Sequence, residues 1–171
     1  MDGFKKICVK DVEENFINLI GEDYMLITAK DDEKINMMTA SWGFVGVMWN
    51  KNVVNIVVRP SRYTYDMLKK NSCFTLNFLK KGNSEILKFC GTKSGRDFNK
   101  VKETGLIPIE TEDDVVAFSQ SKLVFKCKKI YVQDMEKDMF VEKDFGEKTY
   151  PNDDIHTMFI AEIQEVYENL N

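Results

Sequence analysis

Residues 36–65 read Asn36-Met37-Met38-Thr39-Ala40-Ser41-Trp42-Gly43-Phe44-Val45-Gly46-Val47-Met48-Trp49-Asn50-Lys51-Asn52-Val53-Val54-Asn55-Ile56-Val57-Val58-Arg59-Pro60-Ser61-Arg62-Tyr63-Thr64-Tyr65. Ile35 to Met48 has the character of a long strand, interrupted at Gly43 and Gly46, where glycine marks a bend or a close approach. Asn50-Lys51-Asn52 reads as a tight turn into a second strand, Val53 to Val58. Only Asn55 is polar in that run, so both of its faces should be covered. Pro60 and Ser61 stop the strand. Ser61 is placed to cap a helix from Arg62 to Asn71, with Asp66 and Lys70 spaced to pair one turn apart.

The pattern continues on either side. Tyr24 to Lys30 is an expected strand and Asp31 to Lys34 a polar turn. Phe74, Leu76 and Phe78 alternate with Cys73, Thr75 and Asn77, as in a half-buried strand. Ser84 opens a short helix to Cys90 that Gly91 ends. Asp97 is placed to cap another, Phe98 to Glu103, closed by Gly105 and Pro108. Leu123, Phe125 and Cys127 share a parity that Ile130 and Val132 break, which predicts a bulge near Lys128. Asp134 to Asp154 is acidic and turn-rich, a surface excursion, and His156 to Tyr167 is a closing strand. Strands joined by tight turns imply antiparallel pairing, and closing such a sheet removes its exposed edges. The expected fold is mainly β with short helices, an antiparallel barrel in a single domain over 1–171.

Composition narrows the function. The chain has 171 residues, 43% hydrophobic and 30% charged, with a net charge of −4. That is enough to bury a core without metal or disulfide staples. Acids and bases are interspersed, so no basic face for nucleic acid is expected; Lys126 and Lys128 suit the wet face of a strand. No apolar run nears the ~18 residues that span a bilayer, and Met1 to Val12 lacks the apolar centre of a secretory signal. Cys8, Cys73, Cys90 and Cys127 are far apart, with no CxxC pair, so neither a metal site nor a dithiol centre is expected. Reduced thiols in a cytoplasmic protein are the simplest reading.

Three clusters carry polar chemistry. On the long strand, Thr39 and Ser41 point to one face and Met38, Ala40 and Trp42 to the other; by composition this fits an ordinary strand with surface hydroxyls. Arg59, Ser61, Arg62 and Thr64 surround a helix start, where free N–H groups and the dipole attract anions and arginine can grip phosphate. Charge balancing with simple capping is the equal alternative. Cys90 to Lys100 combines two glycines, hydroxyls and cations before a helix, another possible anion concavity without P-loop order. Ser94, Arg96 and Lys100 are its candidates. Cys90 itself reads as a packed helix-end thiol. There is no GxGxxG fingerprint, which argues against a Rossmann dehydrogenase.

The motif Asn36-x-Met38-Thr39-Ala40-Ser41-Trp42, then Val58-Arg59-Pro60-Ser61-Arg62-Tyr63-Thr64, resembles the flavin reductase-like family of FMN-binding split barrels, nearest its flavoredoxin-like branch. Gly91-Thr92-x-Ser94-Gly95-Arg96-Asp97-x-x-Lys100 matches an element of the same branch. The resemblance runs from about Tyr24 to Val166 and is weak across 111–154. It implies a split barrel and an FMN cofactor. Met38, Thr39, Ala40, Ser41 and Trp42 would then lie along the ring and ribityl chain, the Arg59–Thr64 turn at the phosphate, and Ser94, Arg96 and Lys100 around the cofactor or a dimer seam. Asn77 matches a strand-ending asparagine, with a structural bond as its alternative. His156 corresponds to a histidine near the open face of the flavin, against which stands a lone surface histidine; Ala161 replaces the usual glycine of that strand. The implied activity is transfer of reducing equivalents from NADH or NADPH through flavin to a protein, dioxygen or a second flavin, in a homodimer, with no nucleic acid or membrane partner. An electron carrier without NAD(P)H activity, a pyridoxamine-phosphate oxidase relative and a non-enzymatic ligand-binding barrel remain as alternatives.

Overall fold

What reads as one strand from Ile35 to Met48 is two strands at opposite ends of a sheet. The structure, a computed structural model, describes residues 1, 3–31, 34–110 and 115–170. In chain order its elements are β1 (Phe4–Ile7), α1 (Phe16–Gly21), β2 (Met25–Asp31), β3 (Lys34–Ala40), β4 (Gly43–Met48), β5 (Lys51–Val58), α2 (Tyr63–Lys70), β6 (Cys73–Leu79), α3 (Ser84–Thr92), α4 (Lys100–Thr104), β7 (Pro108–Glu110), β8 (Val116–Phe118), β9 (Ser121–Asp134), α5 (Lys143–Thr149) and β10 (Thr157–Asn169). The main sheet runs β3-β2-β6-β9-β10-β5-β4, with β1 added to the far half of β10, while β7 and β8 form a separate ribbon. All recorded pairings are antiparallel. The expected antiparallel split barrel therefore holds.

β3 and β4 are the two ends of the sheet path, yet only Ser41 and Trp42 separate them in sequence. The barrel is split at that junction. Gly43 makes the corner possible: with φ +156, a β-carbon there would stand 2.4 Å from the Asn55 carbonyl oxygen. No other residue fits so close to a backbone.

The core explains the strand sequences. Val54, Ile56 and Val58 of β5 and Phe159 and Ala161 of β10 point inward with Leu76, Phe78 and Phe125, all fully buried. Phe78 and Phe125 meet edge to face at 5.4 Å, the arrangement aromatic pairs favour. Outside the barrel, Leu26, Met37, Cys90, Val116 and Phe118 make a second core under α3 and β8. This layer corrects the reading of β6 as half-buried: from Phe74 to Leu79 both faces are covered.

Several local expectations give way to contacts distant in sequence. The β4–β5 turn is made by Trp49 and Asn50, both at positive φ, not by residues 50–52. Ser61 does not cap α2; Arg62 occupies the N-cap without a side-chain bond. Asp66 pairs with Arg96 at 2.9 Å and Lys70 with Asp31 at 2.7 Å, not with each other. Asn99, not Asp97, caps α4 by accepting from the Lys102 amide. Lys126 is buried beside Glu165, at 3.4 Å, instead of lying in solvent. The bulge is found where parity breaks, since Ile160 faces Tyr131 and Ala161 faces Lys129, leaving Ile130 unmatched. The excursion holds a 3-10 turn (Lys137–Met139) and α5, and the closing strand starts at Thr157 and extends to Asn169. The turn expected over 31–34 lies partly outside the described residues. Among those residues, no helix is long and apolar enough to cross a membrane.

Candidate functional site

The free edge of β3, the start of α2, the end of α3 and the 93–95 segment that follows it enclose a cavity of about 420 Å³. Its wall carries Arg59, Arg62, Lys93 and Lys100 against a single acid, Asp154, together with the hydroxyls of Ser61, Thr64, Thr92 and Ser94. That acid is already engaged: Ser61 Oγ donates to Asp154 Oδ2 at 2.6 Å, and Arg59 Nη1 lies 3.9 Å from the same oxygen. Arg59 also donates to the Asp154 carbonyl at 3.1 Å, and Arg62 to the Gly91 carbonyl at 3.2 Å. Each bond uses one of the five N–H donors of a guanidinium, so both arginines keep donors for an anion.

Lys100 is the most buried of the cations. Its Nζ donates to the carbonyls of Met37 and Cys90, each at 2.8 Å, leaving one of three ammonium protons. Burial first, then Arg62, brings its pKa down to about 8, against a raising contribution from Cys90. Burial pushes the neighbouring Cys90 thiol up to about 11, so it stays protonated at neutral pH. Cys90 is thus a packed thiol in α3, as its position in sequence suggests.

A second cavity, about 170 Å³, adjoins the first through Met38, Arg59 and Arg62. It is lined by Thr39, Ala40, Ser41, Trp42, Val57 and His156, and so lies at the split between β3 and β4. The Trp42 and His156 rings stand 5.1 Å apart, tilted by 45°. His156 is nearly buried, not a surface histidine, and its Nδ1 is 2.8 Å from the Tyr150 hydroxyl. Burial, then Arg59, and to a lesser extent Arg62, hold its pKa down to about 4, with Asp154 opposing; the imidazole is neutral at physiological pH.

Met38, Thr39, Ala40, Ser41, Trp42, Arg59, Ser61, Arg62, Thr64, Ser94, Lys100 and His156 all line these two cavities. Thr39 is partly committed, its hydroxyl donating to the Leu87 carbonyl at 2.6 Å. Two candidates lie elsewhere. Arg96 braces the outside of the turn, bonding the Ser61 carbonyl and Asp66; it lines a larger cleft of about 610 Å³ with Lys34, Phe98 and Lys102. Asn77 is wholly buried. Its Nδ2 donates to Thr28, Thr75 and the Val116 carbonyl, and its Oδ1 accepts from the Phe118 amide and Ser121. No capacity remains for a ligand, because the β8 ribbon closes over that end of β6.

Asn36, Lys93, Asp154 and Tyr150 join the site without having been picked out. Asn36 opens the quoted motif and donates to Thr64 Oγ1 at 2.8 Å. Asp154 stands two residues before the lone histidine, a proximity that could have flagged it. Tyr150 carries no local signal; only the fold of the excursion brings it in.

The donor set fits FMN. Cations and hydroxyls suit a phosphate, and the narrow Trp42 and His156 cavity beside β3 suits the edge of a planar ring with alternating donors and acceptors. The sequence model of the flavin reductase like domain matches residues 18–171. A flavoredoxin from Methanosarcina acetivorans superposes with a TM-score of 0.70 at 20% identity, over 96% of this chain and 76% of that one. An FMN-binding domain of a flavin reductases-like enzyme from Shewanella baltica gives 0.71 at 15%, over 97% and 77%. A Streptomyces globisporus NADH:FAD oxidoreductase gives 0.65 at 13%, over 85% and 74%. At such identities the likeness is one of fold. No curated protein matches.

Proposed function

The chain belongs to the flavin reductase like domain family, and from that premise we propose that it is an FMN-binding oxidoreductase. It takes reducing equivalents from NADH or NADPH and delivers them to a protein, dioxygen or a second flavin. The observation that carries this reading is the division of labour between adjoining cavities. One is cationic and hydroxyl-lined; the other is narrow and flanked by Trp42 and a neutral histidine.

Arg59, Arg62 and Lys100 hold the phosphate, with Ser61 and Ser94 as further donors. The β3 edge and Trp42 orient the ring. When bound, FMN supplies the hydride and electron chemistry, and the chain supplies position and electrostatics. Neutral His156 adds no positive charge beside the ring.

The reading includes a homodimer. Phe44, Asn55, Ile160 and Tyr131 form one cross-strand row on the outer face of β4, β5, β10 and β9. Phe44, Met48, Trp49 and Tyr131 are exposed there. A contiguous apolar patch on a sheet marks an association surface. Beneath it Asn55 Oδ1 is buried without a hydrogen-bond partner among the described residues, a state that an incoming donor would relieve. Gly43 alone separates Phe44 from the exposed Trp42 of the ring cavity in sequence, so a second copy on this row would sit beside that cavity.

Titration with FMN and with riboflavin tests the reading. FMN should bind the more tightly, and Arg59→Ala with Arg62→Ala should remove the difference, a loss of roughly one to two orders of magnitude for charge-assisted bonds. Equal affinity for both ligands, or no binding of either, would sink the proposal. Anaerobic bleaching of the bound flavin by NADH or NADPH then separates an oxidoreductase from a passive carrier.

A further inference from the structure

We propose that Tyr150 is a positioning residue that fixes the tautomer of His156: its hydroxyl donates to Nδ1, so the imidazole carries its proton on Nε2 and offers the ring cavity an uncharged hydrogen-bond donor. The ligand group this suits is an acceptor oxygen or nitrogen on a planar ring or its carboxamide. Only that last clause rests on the flavin reading.

The direction of the bond follows from counting partners. Tyr150 is almost completely buried; its hydroxyl meets His156 Nδ1 at 2.8 Å, and the backbone N–H of His156, which also acts on the phenol oxygen, can only donate, so Nδ1 is the acceptor the phenolic proton has among the described residues. Were Nδ1 to carry the proton, it would donate to the phenol oxygen. The phenolic O–H would then be buried with no acceptor, which is the costly arrangement. With the phenol donating, both groups are satisfied, and the ring nitrogen bonded to a second group sets where the proton sits on the other. Nε2 has no hydrogen-bond partner among the described residues, and His156 lines the 170 Å³ cavity.

The charged groups around the pair leave this balance intact. Arg59 lies over the Tyr150 ring, 5.3 Å from its centroid. The Asp154 carboxylate, a competing partner for the imidazole, is held by Ser61 and Arg59. Arg62 is the remaining charge to act on His156. Burial raises the Tyr150 pKa, so the phenol keeps its proton.

The excursion is built to hold Tyr150 in place. Its amide donates to the Gly146 carbonyl at 3.0 Å, at the end of α5. Its ring stands 5.9 Å from that of Phe140. Phe140 in turn packs over Gly146, where a β-carbon would meet it at 2.9 Å.

His156 is the only histidine in the chain, so isotope-labelled protein gives a single imidazole spectrum. Proton–nitrogen correlation of the flavin-free protein at neutral pH is expected to show the Nε2–H tautomer. Tyr150→Phe keeps the ring and removes the hydroxyl, and should raise the Nδ1–H form to a comparable share. A wild-type spectrum dominated by Nδ1–H, or a Tyr150→Phe spectrum unchanged from wild type, overturns the proposal. Should Tyr150→Phe fail to fold, the wild-type tautomer decides alone. In flavin titrations Tyr150→Phe should weaken FMN and riboflavin alike, by roughly two- to tenfold for one neutral hydrogen bond. Weakening of FMN alone would count against the proposal. Because the tautomer is read without flavin, it stands or falls separately from the flavin reading.

Discussion

Gly95 lies so close to Asn36 that a β-carbon on residue 95 would stand 2.0 Å from Asn36 Oδ1. Asn36 is buried and its amide nitrogen is bound to Thr64, while the Tyr63 ring closes the same space at 3.0 Å. The turn that follows α3 is thereby keyed to β3 and α2 at once. Gly95→Ala is expected to displace either the turn or Asn36, destabilising the fold by about 1–3 kcal/mol for overpacking. FMN affinity should fall with it. Thermal melts and FMN titration measure the two effects, and a variant normal in both would show the keying to be unimportant.

Asn77→Ala separates a structural from a cofactor role. Five hydrogen bonds converge on this side chain, so its removal strands the Phe118 amide and the Ser121 hydroxyl. A loss of roughly 3 kcal/mol is expected in denaturant unfolding. The folded fraction should bind FMN as the wild type does.

The depressed Lys100 pKa, about 8, predicts a pH-dependent affinity. A phosphate ester is already dianionic above its second pKa of about 6, so its own charge is constant at higher pH. As pH rises from neutrality through about 8, Lys100 sheds its proton and FMN affinity should drop, by about tenfold for one charge-assisted bond. Lys100→Met should bind more weakly and lose this pH dependence. A parallel decline in wild type and variant would assign the titration elsewhere.

His156 contributes to acid lability. Its folded pKa of about 4 lies below the ordinary 6.5, so the unfolded chain binds the extra proton first. Stability is full above about 6.5 and is lost as pH falls towards 4, by up to about 3 kcal/mol. In melts at stepped pH, His156→Gln should show a shallower fall over that window than wild type.

Phe44→Glu places a charge in the outer apolar row. Sedimentation is expected to give a dimer for wild type and a monomer for the variant, with ring binding weakened in the monomer. A wild-type monomer would remove the homodimer from the proposed function.

Much of this molecule is legible in its sequence because short-range rules govern it. Period-two alternation and β-branched runs give the strands, glycine and proline their ends, and the parity change after Cys127 gives the bulge. The motifs from Asn36 to Thr64 and Gly91 to Lys100 carry most of the cavity lining, since each is a contiguous strand edge or turn. Where local rules misled, a distant group offered a better partner. Asp66 and Lys70 each left the other for Arg96 and Asp31, and Ser61 left its helix for Asp154.

Neighbouring residues alone specify the antiparallel β architecture and a strand-to-helix turn rich in cations and hydroxyls. It takes the folded chain to show that β3 and β4 part at Ser41 and Trp42, that Asn77 is saturated by the β8 ribbon, and that Tyr150 reaches His156. The reason is physical. Which groups become buried together depends on how the sheet closes, and a buried polar group takes whichever partner closure brings within reach.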